Sequence, residues 1–253
     1  MIDSHAHIDS IYFARDRIKI LEKCINEGVT GIVNVGTNYE TSSKTVLLAE
    51  KHDFLYAAVG IHPINSDELC VKVINDLKKL AQRSKVVAIG EIGLHYNLNE
   101  NMKKVQRDCF IKQVELAKEL DLPIIIHSNN ADEEIIEILN NIKIPRKGGV
   151  IHCFNGNEDL AKSYINMGLH ISIAGNITLN QKQDIFNVIK RISLDKILVE
   201  TDSPYISPEH FKVKRNYPGN VKYVIETIAQ ITGKSFEEVS NVTTENARRL
   251  FQF

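Results

Sequence analysis

The feature that most restricts the fold is an alternation. Short apolar, β-branched runs take turns with longer amphipathic stretches along the whole chain. The strand candidates are Met1–Ser4, Gly31–Val35, Leu55–Gly60, Val86–Gly90, Pro123–Ile126, Gly149–Ile151, His170–Ile173 and Ile197–Glu200. Runs such as IIIH, VVAIG and ILVE are apolar on both faces. A half-exposed antiparallel strand alternates apolar and polar residues, whereas a parallel strand covered on both faces does not. Between the runs lie helical stretches. The clearest is Met102–Leu120, where Val105, Cys109, Phe110, Leu116, Ala117 and Leu120 form one stripe and Lys103, Lys112, Glu115, Lys118 and Glu119 largely face away. Further helices are expected from Ser66 to about Arg83, over Asn157–Asn166 with Gly168 behind it, over Val221–Ile231, and over Glu245–Phe251 at the end. About eight strand–helix units within 253 residues predict a TIM-type (β/α)8 barrel, an α/β single domain spanning 1–253.

Composition narrows the function classes. A net charge of −1 argues against a surface coated in Lys and Arg for non-specific nucleic-acid binding, but leaves room for a local basic patch. The four cysteines, Cys24, Cys70, Cys109 and Cys153, form no C-x-x-C pair and are expected as reduced thiols. The start, MIDSHAHIDS, has neither a basic nor an apolar segment of the secretory kind, and no apolar run is long enough to span a bilayer. A cytoplasmic location without membrane contact or an obligate protein partner is the expectation.

The histidines carry the chemical signal. Six of the nine (His5, His7, His62, His95, His127 and His152) fall at or just past a strand end, where barrel active sites assemble. Residues i and i+2 of an extended chain share a side, so His5 and His7 can reach one ion. Glu91 follows a buried apolar strand between two glycines, and a carboxylate in such a place needs a cation; its two oxygens can bridge two. His127 and His152 each end an apolar run. Asp202 closes the last strand, where it can bind an ion and take a proton from water. One metal set is therefore His5, His7, Glu91 and Asp202; the other is Glu91, His127 and His152. This mixture of nitrogen and oxygen donors suits Zn, Mn, Fe or Ni, with Mg also admitted, and two divalent ions are expected. His62 is assigned to substrate phosphate or to support of the centre. Lys212, Lys214 and Arg215 follow the eighth strand, a frequent phosphate site, and Tyr205 and Tyr217 are candidates for stacking on a base.

The motifs DSHAHID at 3–9, GIHP at 60–63, GEIGL at 90–94, Q-x6-Q at 106–113, LPIIIHS at 122–128, HCFNG at 152–156, ETDSPY at 200–205, KRNYPGNV at 214–221 and NARRLF at 246–251 together resemble the TatD family of metal-dependent deoxyribonucleases, within the amidohydrolase-like metal hydrolases. The resemblance runs end to end. It implies a TIM-type barrel, a divalent metal centre and hydrolysis of DNA phosphodiesters, with ligands at His5, His7, Glu91, His127, His152 and Asp202. In related amidohydrolases a carboxylated lysine often bridges the metals; Glu91 in that place favours the TatD branch. Two positions depart from the family pattern: His95 stands where an aspartate is common, and Asn129 where a basic residue is common. A His95–Asn129 hydrogen bond is the expectation there.

The function expected is cleavage of DNA, at ends or in single-stranded stretches, by a metal-bound hydroxide. Asp202 serves as general base, and Lys214, Arg215 and His62 act on the phosphoryl oxygens. The alternatives are the same centre acting on an acyl bond, such as D-aminoacyl-tRNA deacylation, and a non-catalytic metal-binding scaffold.

Overall fold

The computed structural model describes residues 1–96, 102–178, 183–207 and 215–253. Eight parallel strands form one sheet in the order of the chain: β1 Ile2–Ala6, β2 Gly31–Val35, β3 Leu55–Val59, β4 Val86–His95, β5 Ile124–Asn129, β6 Gly149–Ile151, β7 Leu169–Ile173 and β8 Ile197–Val199. The intervening helices are α1 Arg17–Asn26, α2 Tyr39–Ala49, α3 Val71–Ala81, α4 Lys103–Leu120, α5 Asp132–Ile142, α6 Glu158–Asn166, α7 Gln183–Arg191 and α8 Val221–Thr232, and α9 Phe236–Phe251 follows. The barrel closes just past β8. Ala6 pairs with Ser203, and the Asp3 carboxylate accepts hydrogen bonds from the Thr201 amide (2.9 Å) and hydroxyl (2.6 Å). This is the (β/α)8 barrel that the alternation predicts.

Both faces of the strands are apolar because both are buried. Val33, Val35, Ala58, Val87, Ile125, Val150 and Leu198 pack the inner cluster. Ile32, Ala57, Ile124, Ile126, Ile151, Ile197 and Val199 pack the layer that includes the helices. Ala247, Leu250 and Phe251 of α9 join the inner cluster, and Phe253 stacks on Tyr56 with ring centres 3.7 Å apart. The closing helix is thus the plug of the barrel's lower end. It begins at Phe236, nine residues before the expected Glu245, because Ser235 caps it by accepting the Glu238 amide.

Two other helices differ from expectation. The stretch after Ser66 does not form one helix. Pro63 opens a short 3-10 turn, Pro63–Glu68, capped by the His62 ring, and Leu69 is extended, so α3 starts only at Val71. On α4 the buried stripe includes Gln106 and Gln113, whereas Val105 is partly exposed. These glutamines explain the Q-x6-Q spacing. Seven residues are two helical turns, so both amides point at the barrel. Gln113 accepts the Ile61 amide (2.7 Å) and donates to its carbonyl (3.0 Å). Gln106 does the same for His95 (2.8 and 3.2 Å). Each clamps the backbone just where a strand hands over to an active-site loop. Gln113→Leu strands two buried backbone groups and should cost about 3 kcal/mol. Thermal denaturation checks this, and an unchanged melting temperature would contradict the clamp.

Candidate metal centre

Bulges aim the candidate ligands. Between Asp3 and Ala6, β1 carries one residue more than β2, and between Ile89 and Ile92, β4 carries one more than β5. An extra residue on one strand re-aims the side chains around it; here those are His5 and Glu91. The glycines of GEIGL permit the second bulge. Gly93 has φ +145°, and a Cβ there would lie 2.0 Å from the His127 carbonyl oxygen.

The side chains converge as the sequence predicts. His5 Nε2 and His7 Nε2 are 3.2 Å apart. Asp202 Oδ1 lies 3.7 and 3.4 Å from them, and Glu91 Oε2 lies 3.3 and 3.8 Å away. The other carboxylate oxygen, Glu91 Oε1, is 2.8 Å from both His127 Nδ1 and His152 Nε2, which are 3.1 Å apart. Two nitrogens bound to one Zn at ~2.0–2.1 Å with tetrahedral angles sit about 3.3 Å apart. The spacing within each histidine pair fits one ion, and Glu91 turns one oxygen to each pair.

The far sides of the rings select the tautomers. His7 Nδ1 is 2.8 Å from the Val35 carbonyl and must donate there, which leaves the Nε2 lone pair for an ion. His152 Nδ1 meets Glu200 Oε1 at 3.3 Å, with the same result. Glu200 also accepts the Cys153 amide at 2.7 Å. It is a buried carboxylate directly after β8, and sequence reasoning passed it over although the argument used for Glu91 applies to it equally. Its Oε2 and the Nδ1 of His5 are both buried without a hydrogen-bond partner among the described residues. His62 differs in kind: its Nδ1 accepts the Ile64 amide at 3.1 Å, so Nε2 carries the proton. That N–H lies 3.5 Å from Glu91 Oε1, so His62 enters the site as a donor rather than as a lone pair.

Electrostatics follow from burial among opposite charges. Burial alone opposes ionisation of Glu91, but the imidazoles of His152, His62 and His5, with the hydrogen bond to His127, hold its pKa well below the usual range. Asp202 is only partly exposed, which also opposes its charge, yet the hydrogen bond with His7 and the neighbouring histidines keep its pKa low. Burial works against charge on His7, but Asp202 and Glu91 raise its pKa to about 9. Burial is also outweighed at His152, where Glu91 and Glu200 raise it well above normal. Cys153, beside the centre, is pushed up to about 12 by burial and stays a thiol. Ion uptake must therefore displace the protons of His7 and His152, while Glu91 and Asp202 are already ionised. The apparent association constant of each ion should rise by roughly one log unit per pH unit between pH 6 and 8, since each half of the centre has one such imidazole to deprotonate. Calorimetric titration with Zn2+ across that range checks the slope, and a pH-independent affinity would contradict it.

Asp202 adopts φ +49°, a left-handed conformation that few residues other than glycine accept. Its amide donates to the His5 carbonyl, and its own carbonyl accepts the Tyr205 amide. Next to it, a cavity of about 380 Å³ runs past His127 and His152, lined by Ser128, Asn130, Asn155, Asn176 and Phe154.

A model of the family described as TatD related DNase matches residues 2–252. The chain belongs to this family. It is 38% identical over 252 residues to YabD of Bacillus subtilis (strain 168), named an uncharacterized metal-dependent hydrolase, covering 100% of this chain and 99% of that protein. It is 32% identical over 258 residues to a protein of Pantoea ananatis (strain LMG 20103) named 3'-5' ssDNA/RNA exonuclease TatD, covering 99% of each. The crystal structure of YJJV, a TatD homologue from Escherichia coli K12, superposes with a TM-score of 0.94 at 29% identity, covering 100% of this chain and 98% of that one.

The remaining expected site residues are placed unevenly around this TatD-type centre. Tyr205 stands at the rim, exposed, its ring 5.6 Å from that of His7 and edge-on to exposed Tyr12. Arg215 forks onto Asp16 (2.9 and 2.6 Å) and so helps anchor the loop after β8 to the start of α1. Tyr217 is a packing residue: its hydroxyl meets Glu27, and Lys23 lies over its ring. Lys212 and Lys214 lie outside the described residues. His95 and Asn129 are partners in the β4–β5 register, but the His95 imidazole meets His127 Nε2 at 2.9 Å instead of forming the expected bond with the Asn129 side chain. Among the described residues no helix is long and apolar enough to cross a membrane.

Proposed function

We propose that this metal-dependent hydrolase is a nuclease that cleaves phosphodiester bonds of DNA at ends or in single-stranded stretches, using two divalent ions. The observation that carries this reading is the division of Glu91, one oxygen toward His5 and His7 and the other toward His127 and His152. His5, His7, Glu91 and Asp202 would hold one ion, and Glu91, His127 and His152 the other. Bound there, divalent ions acidify water and offset negative charge growing on a phosphoryl oxygen. Asp202, ionised and with Oδ1 facing His7 and His5, accepts the proton of the attacking water. His62 directs its Nε2–H toward the same space, where it can donate to a non-bridging phosphate oxygen. Tyr205 and Tyr12 offer exposed aromatic faces beside the centre, suited to an unpaired base. The name of the Pantoea relative supports a single-stranded nucleic-acid substrate.

The test is a side-by-side assay of purified protein on single-stranded DNA, duplex DNA, RNA and a D-aminoacyl-tRNA, each with and without chelator. Chelator-sensitive release of nucleotides, fastest from single-stranded DNA, is expected. Deacylation with inert oligonucleotides would overturn the nuclease reading in favour of the acyl one. Full ion content with no hydrolysis of any substrate would point to the scaffold.

A further inference from the structure

The ligand imidazoles are not backed alike. His7 donates from its far nitrogen to a carbonyl oxygen and His152 to a carboxylate, whereas the far nitrogen of His127 faces another imidazole. His127 Nδ1 is the atom beside Glu91 Oε1 and His152 Nε2. To hold an ion there, Nδ1 must offer its lone pair, which leaves the ring proton on Nε2. That proton points at His95 Nδ1, 2.9 Å away. His95 must therefore accept at Nδ1 and carry its own proton on Nε2. The two rings stack nearly parallel, with centroids 5.1 Å apart and planes 14° apart. The His95 backbone is clamped on both sides by Gln106, so the acceptor is fixed in place.

We propose that His95 is a positioning residue for His127, and that the half of the centre containing His127, offered three protein donors (Glu91, His127 and His152) where the other half has four (His5, His7, Glu91 and Asp202), is the weaker ion site. The proposal rests on the two-ion reading above. The outer partner of a ligating histidine fixes its tautomer and raises its basicity, and losing that partner typically costs 10–100-fold in metal affinity. A neutral acceptor supplies the orientation but not the charge.

Substitution at 95 separates the two contributions. His95→Ala removes the acceptor, His95→Asn places an amide oxygen near the position of Nδ1, and His95→Asp adds a charge. Chelator-stripped wild type and the three variants are titrated with Zn2+ and with Mn2+ by calorimetry, and bound ions per chain are counted by elemental analysis. His95 is only half-buried, and circular dichroism verifies that each variant folds. Wild type should take up two ions with separable affinities. His95→Ala should weaken the weaker site by ~10–100-fold and leave the other within twofold. His95→Asn should restore it, and His95→Asp should tighten it beyond wild type. Unchanged affinities in His95→Ala overturn the proposal, as does equal weakening of both sites without rescue by asparagine. A wild-type chain that binds fewer than two ions overturns the two-ion reading itself.

Discussion

Asp202→Asn should lower turnover on an oligonucleotide by ~10³-fold or more, while the protein stays folded and still binds DNA. A misplaced or missing general base alone costs about 10²–10⁴-fold. An amide accepts no proton at neutral pH and offers an ion a neutral oxygen in place of an anionic one. Asparagine is the informative choice because the backbone at 202 is left-handed, φ +49°, and asparagine is among the few residues that tolerate this. The bonds from its amide to His5 and from Tyr205 to its carbonyl can persist. The rim at Tyr12 and Tyr205 is untouched, so affinity measured by fluorescence anisotropy should hold within a few-fold. Turnover within twofold of wild type would refute the role assigned to Asp202.

Glu91→Gln should reduce bound ions from two per chain to at most one and cut turnover by a similar or larger factor. The reason is geometric. The carboxylate is buried, with Oε2 directed at His5 and His7 and Oε1 at His127 and His152. Glutamine has nearly the same shape, but one end becomes an NH2 group, a donor without a lone pair for a cation. Whichever way it turns, one histidine pair faces a group that cannot complete an ion site. Loss of fold is not expected, since imidazoles deprived of a counter-charge can shed protons at neutral pH. Elemental analysis and thermal denaturation of the same sample separate the outcomes. Two tightly held ions in the folded variant would remove Glu91 from its bridging place.

The strands and the candidate ligands were legible in the sequence for the same reason. A strand covered on both faces is mostly apolar on both, so β2 Gly31–Val35, whose one polar residue is Asn34, and β6 Gly149–Ile151 stand out with both ends correct. A charged or ionisable group at the end of such a run, as at Glu91, His127, His152 and Asp202, then has no solvent to explain it. Glu200 carries the same signal two residues nearer the strand and is overshadowed by Asp202 behind it. Helix ends were less legible. The stop at Leu69 and the start of α9 depend on a ring cap by His62 and a hydroxyl cap by Ser235 that compete with periodicity. Gln106 and Gln113 read as polar residues of a helix surface, and only their pairing with the Ile61 and His95 backbone shows why they face inward.

By itself the sequence determined the parallel barrel and pointed to the candidate ion-binding side chains, because strand periodicity and buried charge are local properties written residue by residue. Tertiary structure decided which oxygen of Glu91 faces which histidines, which nitrogen each ring presents, that Arg215 lies on Asp16, and that His95 backs His127. Each of these depends on how strands far apart in the chain are staggered and bulged against one another, and a directional contact of about 3 Å is fixed only when both partners are in place.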